Sequence, residues 1–233
     1  KMLSADGIFS IFPARRTDCE DITLFSDESL NQKLFTWHGL RQQTKKPRKQ
    51  KNKCLSDFVS CIDDDRKDYL GVFFVTVNGA DKIAKDFEDA GDDYSAIMVK
   101  ALADRFVESF AEYLHMLIRT EFWAYSPDEK LNSTELILES YQGIRPAPGY
   151  PSCPDHSVKE EMARILNVED IGVSLTESLA MSPASSVCGF YFWHPEASYF
   201  NIGSIGNDQL TDYQKRVELT EENAKKRLVT VLG

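Results

Sequence analysis

Residues 94–123 read YSAIMVKALADRFVESFAEYLHMLIRTEFW, and the reading of this stretch decides the fold. Met98, Leu102, Phe106, Phe110, Leu114 and Ile118 recur at every fourth position, and Ala101 and Leu117 widen the stripe. Lys100, Asp104, Glu108 and Glu112 fall on other faces. The pattern predicts one long helix with that apolar stripe turned to the core. Before it come four strand candidates: GIFSIFP at 7–13, DITLF at 21–25, LFTW at 34–37 and YLGVFFVTV at 69–77. The last is the most apolar, so it should lie centrally, closed by Asn78-Gly79. After the long helix, Asn132 and Glu135 form a capping-box pattern for a helix to about Tyr141, with Gly143 as its terminator. Ser157 and Glu160 cap a further helix through Leu166. Strands are expected at 186–192 and 199–203, joined by residues 194–197, and the charged stretch 208–232 reads as helical. Strands before and after a helical middle, without βαβ alternation, give an α+β fold.

At 233 residues and 42% hydrophobic, the chain can bury one large core or two small ones. No apolar run is long enough for a membrane span, and residues 1–7 have no apolar core of the secretory type. Cys19, Cys54, Cys61, Cys153 and Cys188 are odd in number, scattered and without a CxxC pair. They argue against a disulfide framework or a zinc site and fit a reducing cytoplasm. A formal charge of −10 disfavours nucleic acid as a general partner. Residues 45–53 nonetheless hold six positive charges, which read as a solvated loop rather than a docking patch.

The stretch YQGIRPAPGYP at 141–151 is the strongest candidate for a site. Arg145, Ala147 and Tyr150 each precede a proline, so the segment should be a stiff, extended strap. Such a strap holds a guanidinium and a phenol in place and leaves backbone carbonyls to face a small ligand, with little entropy lost on binding. A plain proline-rich connection is the competing reading. No GxGxxG, GxxxxGK[ST], GxSxG or Ser-x-x-Lys motif is present, and Gly203-Ser204-Ile205-Gly206 reads as a turn. His38, His115, His156 and His194 lack paired metal spacing, and His115 reads as a packed or surface residue. Asp155-His156 resembles an acid–base pair, but adjacent residues in an extended chain rarely face each other. Residues 176–186, rich in small and hydroxyl side chains, read as close packing before a strand.

The run YQGIRPAPGYPSCPDH at 141–156 closely resembles the activation domain of cobalamin-dependent methionine synthase. So do IMVKALADR at 97–105, LTESLAM at 175–181, LRQQT at 40–44 and CLSDF at 54–58. The resemblance covers residues 1–233 in one order. It implies a single large α+β domain with a bent, mostly antiparallel sheet, a long central helix and flanking helices. It also implies that the family's domain begins upstream of Lys1, where its donor-contacting aspartate lies.

A domain of this family binds S-adenosylmethionine and supplies its methyl group when cobalamin has drifted to cob(II)alamin. The implied cofactor is therefore S-adenosyl-L-methionine, with cobalamin reached only through a separate partner domain, since no DxHxxG signature is present. The implied partners are the cobalamin-binding domain and a flavodoxin or flavoprotein reductase. Residue by residue, the resemblance assigns donor binding to Arg145, Ala147, Tyr150 and Tyr199, with Phe200 beside it, and Glu108 to holding the arginine. It assigns no catalytic residue and no metal ligand. The alternative is an interaction domain that keeps the fold without the ligand.

Overall fold

The computed structural model describes residues 3–18, 20–47 and 49–232. Cys19 and Arg48 of the sequence reading, with Lys1 and Met2, lie outside the described residues. Among the described residues, seven strands and six α-helices follow one another along the chain. Strands β1 (Ser4–Arg16), β2 (Asp21–Phe25), β3 (Lys33–His38) and β4 (Tyr69–Asn78) come first. Helices α1 (Ala80–Asp89), α2 (Asp93–Leu117), α3 (Ser133–Ile137) and α4 (Val158–Leu166) follow. Then come β5 (Ser174–Leu175), β6 (Met181–Ser182), β7 (Ser186–Tyr191), α5 (Asn207–Arg216) and α6 (Glu221–Arg227). Five strands form one sheet in the order β3-β2-β1-β4-β7, and β5 pairs with β6. Pairings β1–β2 and β2–β3 are antiparallel, as expected of α+β. Strand β4 is buried from Leu70 to Val77, which explains its unbroken apolar run. It lies inside the sheet, next to the central β1.

Contacts divide the chain into two compact units, and β1, β4, β7 and α4 run through both. The first comprises Lys1–Ser10, Val72–Tyr141 and Met162–Gly189. Here α2 has the expected extent, continued by a single π-helical turn at Ile118–Phe122, but the buried face is not the expected one. Ala96, Ala103, Val107, Ala111, Leu114 and His115 are buried, whereas Met98, Leu102 and Phe106 are 41%, 59% and 44% exposed. The reason is geometric. On a helix of about 3.6 residues per turn, a fourth-residue repeat advances about 40° at each step, so it winds away from any fixed face. The real core stripe mixes spacings of three and four and uses small residues, which carry little hydropathy signal. Gly7 lets α2 approach β1, because a Cβ there would lie 3.2 Å from the Phe110 ring.

Asn78-Gly79 does not turn a hairpin. Gly79, at φ +94°, is the N-cap of α1, a helix absent from the sequence reading although Ala80, Ile83, Ala84 and Phe87 carry its spacing. Helix α3 has the expected capping box but ends at Ile137 rather than near Tyr141. Glu139 sits at φ +52°, and Ser140 N–H donates to the Glu135 carbonyl at 3.0 Å while Glu139 N–H donates to Leu136. That is a Schellman closure with a glutamate where glycine is usual, and it ends the helix before Gly143.

The second unit comprises Ile11–Gly71, Gln142–Glu161 and Phe190–Gly233. Its core includes Leu40, Ile202, Ile205, Leu210, Tyr213, Ala224, Leu228 and Val231. The expected helical tail is two helices, broken where Glu218 takes φ +54° and Thr220 caps α6. The strand expected at 199–203 is irregular chain; Ile202 N–H instead donates to the Pro151 carbonyl at 3.0 Å. Two short motifs distant in sequence meet here. Arg41 forks onto Asp57 at 2.8 and 2.9 Å and donates to Glu20 at 2.6 Å. Burial works against the Asp57 carboxylate, but the Arg41 hydrogen bonds outweigh it and hold its pKa below the ordinary range. Gln42 closes the base of the basic loop, taking Lys53 N–H at 3.0 Å and donating to the Asn201 carbonyl at 2.6 Å.

Candidate functional site

The strap forms in the second unit as an extra length of extended chain beside β7. Ile144 and Phe192 exchange both backbone hydrogen bonds, at 3.0 and 2.9 Å, and Phe190 N–H donates to the Pro146 carbonyl at 2.9 Å. Side chains alternate as an extended segment requires: Ile144, Pro146 and Pro148 are buried, while Arg145 and Ala147 are half-exposed on the opposite face. A proline has no N–H to offer, so its presence costs this ladder nothing at positions where only the carbonyl is used. The prolines thus serve as packing residues as well as stiffeners.

Arg145 N–H points away from β7 and donates to the Tyr199 hydroxyl at 3.0 Å. This bond brings Arg145 and Tyr199 together, across 54 residues of sequence. Beyond Arg145 the strap turns sharply. Tyr150 N–H donates to the Ala147 carbonyl at 3.1 Å, with Pro148 and Gly149 (φ +95°) between, a type II turn. Gly149 N–H then donates to the Cys153 carbonyl at 2.7 Å, and Cys153 N–H to that of Tyr150 at 2.9 Å. The carbonyls of Ile144, Pro146 and Ala147 are therefore bonded within the backbone rather than left open as the sequence reading expected.

Tyr150 at the tip is 65% exposed and Tyr199 41%. Phe200 is half-buried; its ring meets Phe58 edge-on at 6.4 Å and packs against the core cluster, so it is a wall more than an open face. Glu108 lies in the first unit on an exposed part of α2, where its carboxylate is 2.8 Å from Arg105. The link between Tyr199 and the Arg145 backbone was missed in sequence, since 199–203 was read as a strand. The signal available was the residue order: a proline after Arg145 commits the neighbouring carbonyls to one side and leaves the arginine N–H on the other.

Among the described cysteines, Cys54, Cys153 and Cys188 are buried and Cys61 is half-buried, and burial pushes the Cys54 thiol up to about 11. His115 is fully buried in the first unit, with its ring 5.1 Å from that of Tyr141 and Nε2 3.5 Å from the Tyr125 hydroxyl, so it packs. Among the described residues no cluster of His, Cys, Asp and Glu has the geometry for a metal ion, and no helix is long and apolar enough to cross a membrane.

The geometry can be set beside known proteins. A solved structure of the MetH reactivation domain bound to AdoHcy superposes with a TM-score of 0.96 at 44% identity, covering 100% of this chain and 71% of that one. A family model described as the vitamin B12 dependent methionine synthase activation domain matches residues 1–218. The chain therefore belongs to the activation-domain family of vitamin B12-dependent methionine synthase.

Proposed function

We propose that the open face of the strap binds S-adenosylmethionine and that the chain is the methyl-donor module for reactivating methionine synthase. The observation that carries this reading is the alternation at 144–148: buried Ile144 and prolines on one side, and half-exposed Arg145 and Ala147 on the other, with the Tyr199 hydroxyl on the Arg145 N–H. The residues fit the donor part by part. The Arg145 guanidinium suits its carboxylate, where a charge-assisted hydrogen bond contributes about 1.5–3 kcal/mol. The exposed rings of Tyr150 and Tyr199 suit its sulfonium, at about 0.5–2 kcal/mol per ring. The Ala147 carbonyl, although it closes the turn, keeps a second lone pair for the donor's ammonium. Phe200 supplies an apolar wall. Glu108 enters the proposal on the family resemblance alone; its partner on α2 is Arg105. A 44% identical relative that holds AdoHcy argues against the reading as a ligand-free interaction domain.

Cobalamin held by a separate partner domain in the cytoplasm would supply the methyl acceptor, and a flavodoxin or flavoprotein reductase would supply the electron. This chain's part is to hold the donor so that its S–CH₃ bond faces outward and to keep AdoHcy, the leaving product, on the same contacts. The exposure of Tyr150 and Tyr199 suits docking of a partner over the strap. The test is to mix the chain with the cobalamin domain, reduced flavodoxin and S-adenosylmethionine and follow the cob(II)alamin absorbance. It should decay faster with the chain present; equal rates with and without it would overturn the proposal.

A further inference from the structure

Asp155 and His156, adjacent in sequence, point to different tasks in the second unit. Asp155 faces the core: it accepts from the Tyr213 hydroxyl at 2.5 Å and the Ser157 hydroxyl at 2.7 Å, with Arg227 at 4.0 Å. His156 faces the strap. A Cβ built on Gly149 would lie 2.1 Å from His156 Cε1, 2.5 Å from Nε2 and 2.9 Å from Nδ1. The edge of the imidazole thus occupies the space that a side chain at 149 would need. Gly149 is both the left-handed corner of the type II turn and the donor of the 2.7 Å bond to Cys153, so the ring bears on the most constrained point of the strap.

We propose that His156 is a positioning residue for the donor site: its imidazole braces the Pro148-Gly149 turn and thereby sets the Ala147 backbone and the Tyr150 ring. The proposal rests on the reading of the strap as the donor site. The charged groups that face the ring are the buried Lys159, on α4, and the neighbouring Asp155. Partial loss of solvent at this still exposed residue, then the Lys159 ammonium, holds the imidazole below its ordinary 6.5, against a smaller opposing pull from Asp155. A neutral ring can rest its edge on Gly149; an imidazolium would be drawn to water and repelled by Lys159. Because folding depresses this pKa, the contribution of the brace is complete above 6.5 and is lost as pH falls through the lower folded value.

Two readouts test it, one with ligand and one without. Amide hydrogen exchange at Gly149, Tyr150 and Cys153 should quicken by about tenfold in His156→Ala while the amides of α2 keep their protection. AdoHcy titrated into the same variant should bind about tenfold more weakly, with unchanged melting temperature. Wild-type affinity should decline below pH 6.5, and His156→Gln should lack that step. Gly149→Ala should lose more than His156→Ala, through both the clash and the positive φ. The double variant should recover part of that loss, because the methyl group gains the vacated space. Wild-type exchange and affinity in His156→Ala, or a double variant no better than Gly149→Ala, would overturn the brace. Absence of AdoHcy binding to the wild type would sink the donor reading, and the exchange rates would still decide the role of His156.

Discussion

Arg119 in the first unit and Arg145 in the second are held in opposite ways. Arg119 is wholly buried: its guanidinium forks onto Glu129 at 2.7–3.1 Å and stacks on the Tyr141 ring at 3.9 Å. Its Nη1 has no hydrogen-bond partner among the described residues, the residue of unmet demand in an otherwise closed cluster. Arg145 has its backbone fixed by Tyr199 and its neighbours buried, yet the residue itself is half-exposed. The same residue type is a structural knot where every direction is enclosed and, on the proposed reading, a receptor where one direction is left to solvent. Composition does not distinguish the two guanidiniums; their surroundings do.

The comparison breaks first on Glu129→Ala. Removing one partner of a buried ion pair leaves an uncompensated charge and should cost about 3–5 kcal/mol of stability. Donor affinity per folded molecule should be unchanged, and urea unfolding with parallel titration reads both. Unaltered stability would mean that the knot holds nothing. A smaller effect is expected for Tyr199→Phe, which removes the hydroxyl that accepts from Arg145 N–H. The loss should be about 1 kcal/mol in donor affinity, with the ring still in place. No loss at all would place the strap's geometry in the control of β7 alone.

Legibility in sequence followed the size of the physical signal. Residues 21–25 were read with the correct bounds because Asp21–Phe25 is short, apolar and cut off by turn residues on both sides. Residues 94–123 gave the extent of α2 but not its buried face, since the alanines and Val107 that pack are less hydrophobic than the Leu and Phe left outside. Helix α1 was missed because Asn78-Gly79 signals a hairpin as readily as a helix cap. The premature stop of α3 could not be read, because a glutamate in the left-handed region gives no warning in sequence. At the site, proline spacing alone predicted a stiff strap with Arg145, Ala147 and Tyr150 in order. That its carbonyls are consumed by β7 and by the turn, and that His156 lies against Gly149, are tertiary facts. The motifs at 40–44 and 54–58 carried the resemblance without disclosing that Arg41 and Asp57 are one ion pair.

Donor binding by the strap turns most directly on the Arg145 guanidinium. Calorimetric titration of S-adenosylmethionine into the wild type and into Arg145→Ala, at one pH above 7 and one salt concentration, measures this. Saturable binding to the wild type is expected, with a loss of about 2 kcal/mol, near thirtyfold, in the variant and its melting temperature preserved. Equal dissociation constants for the two proteins would contradict it.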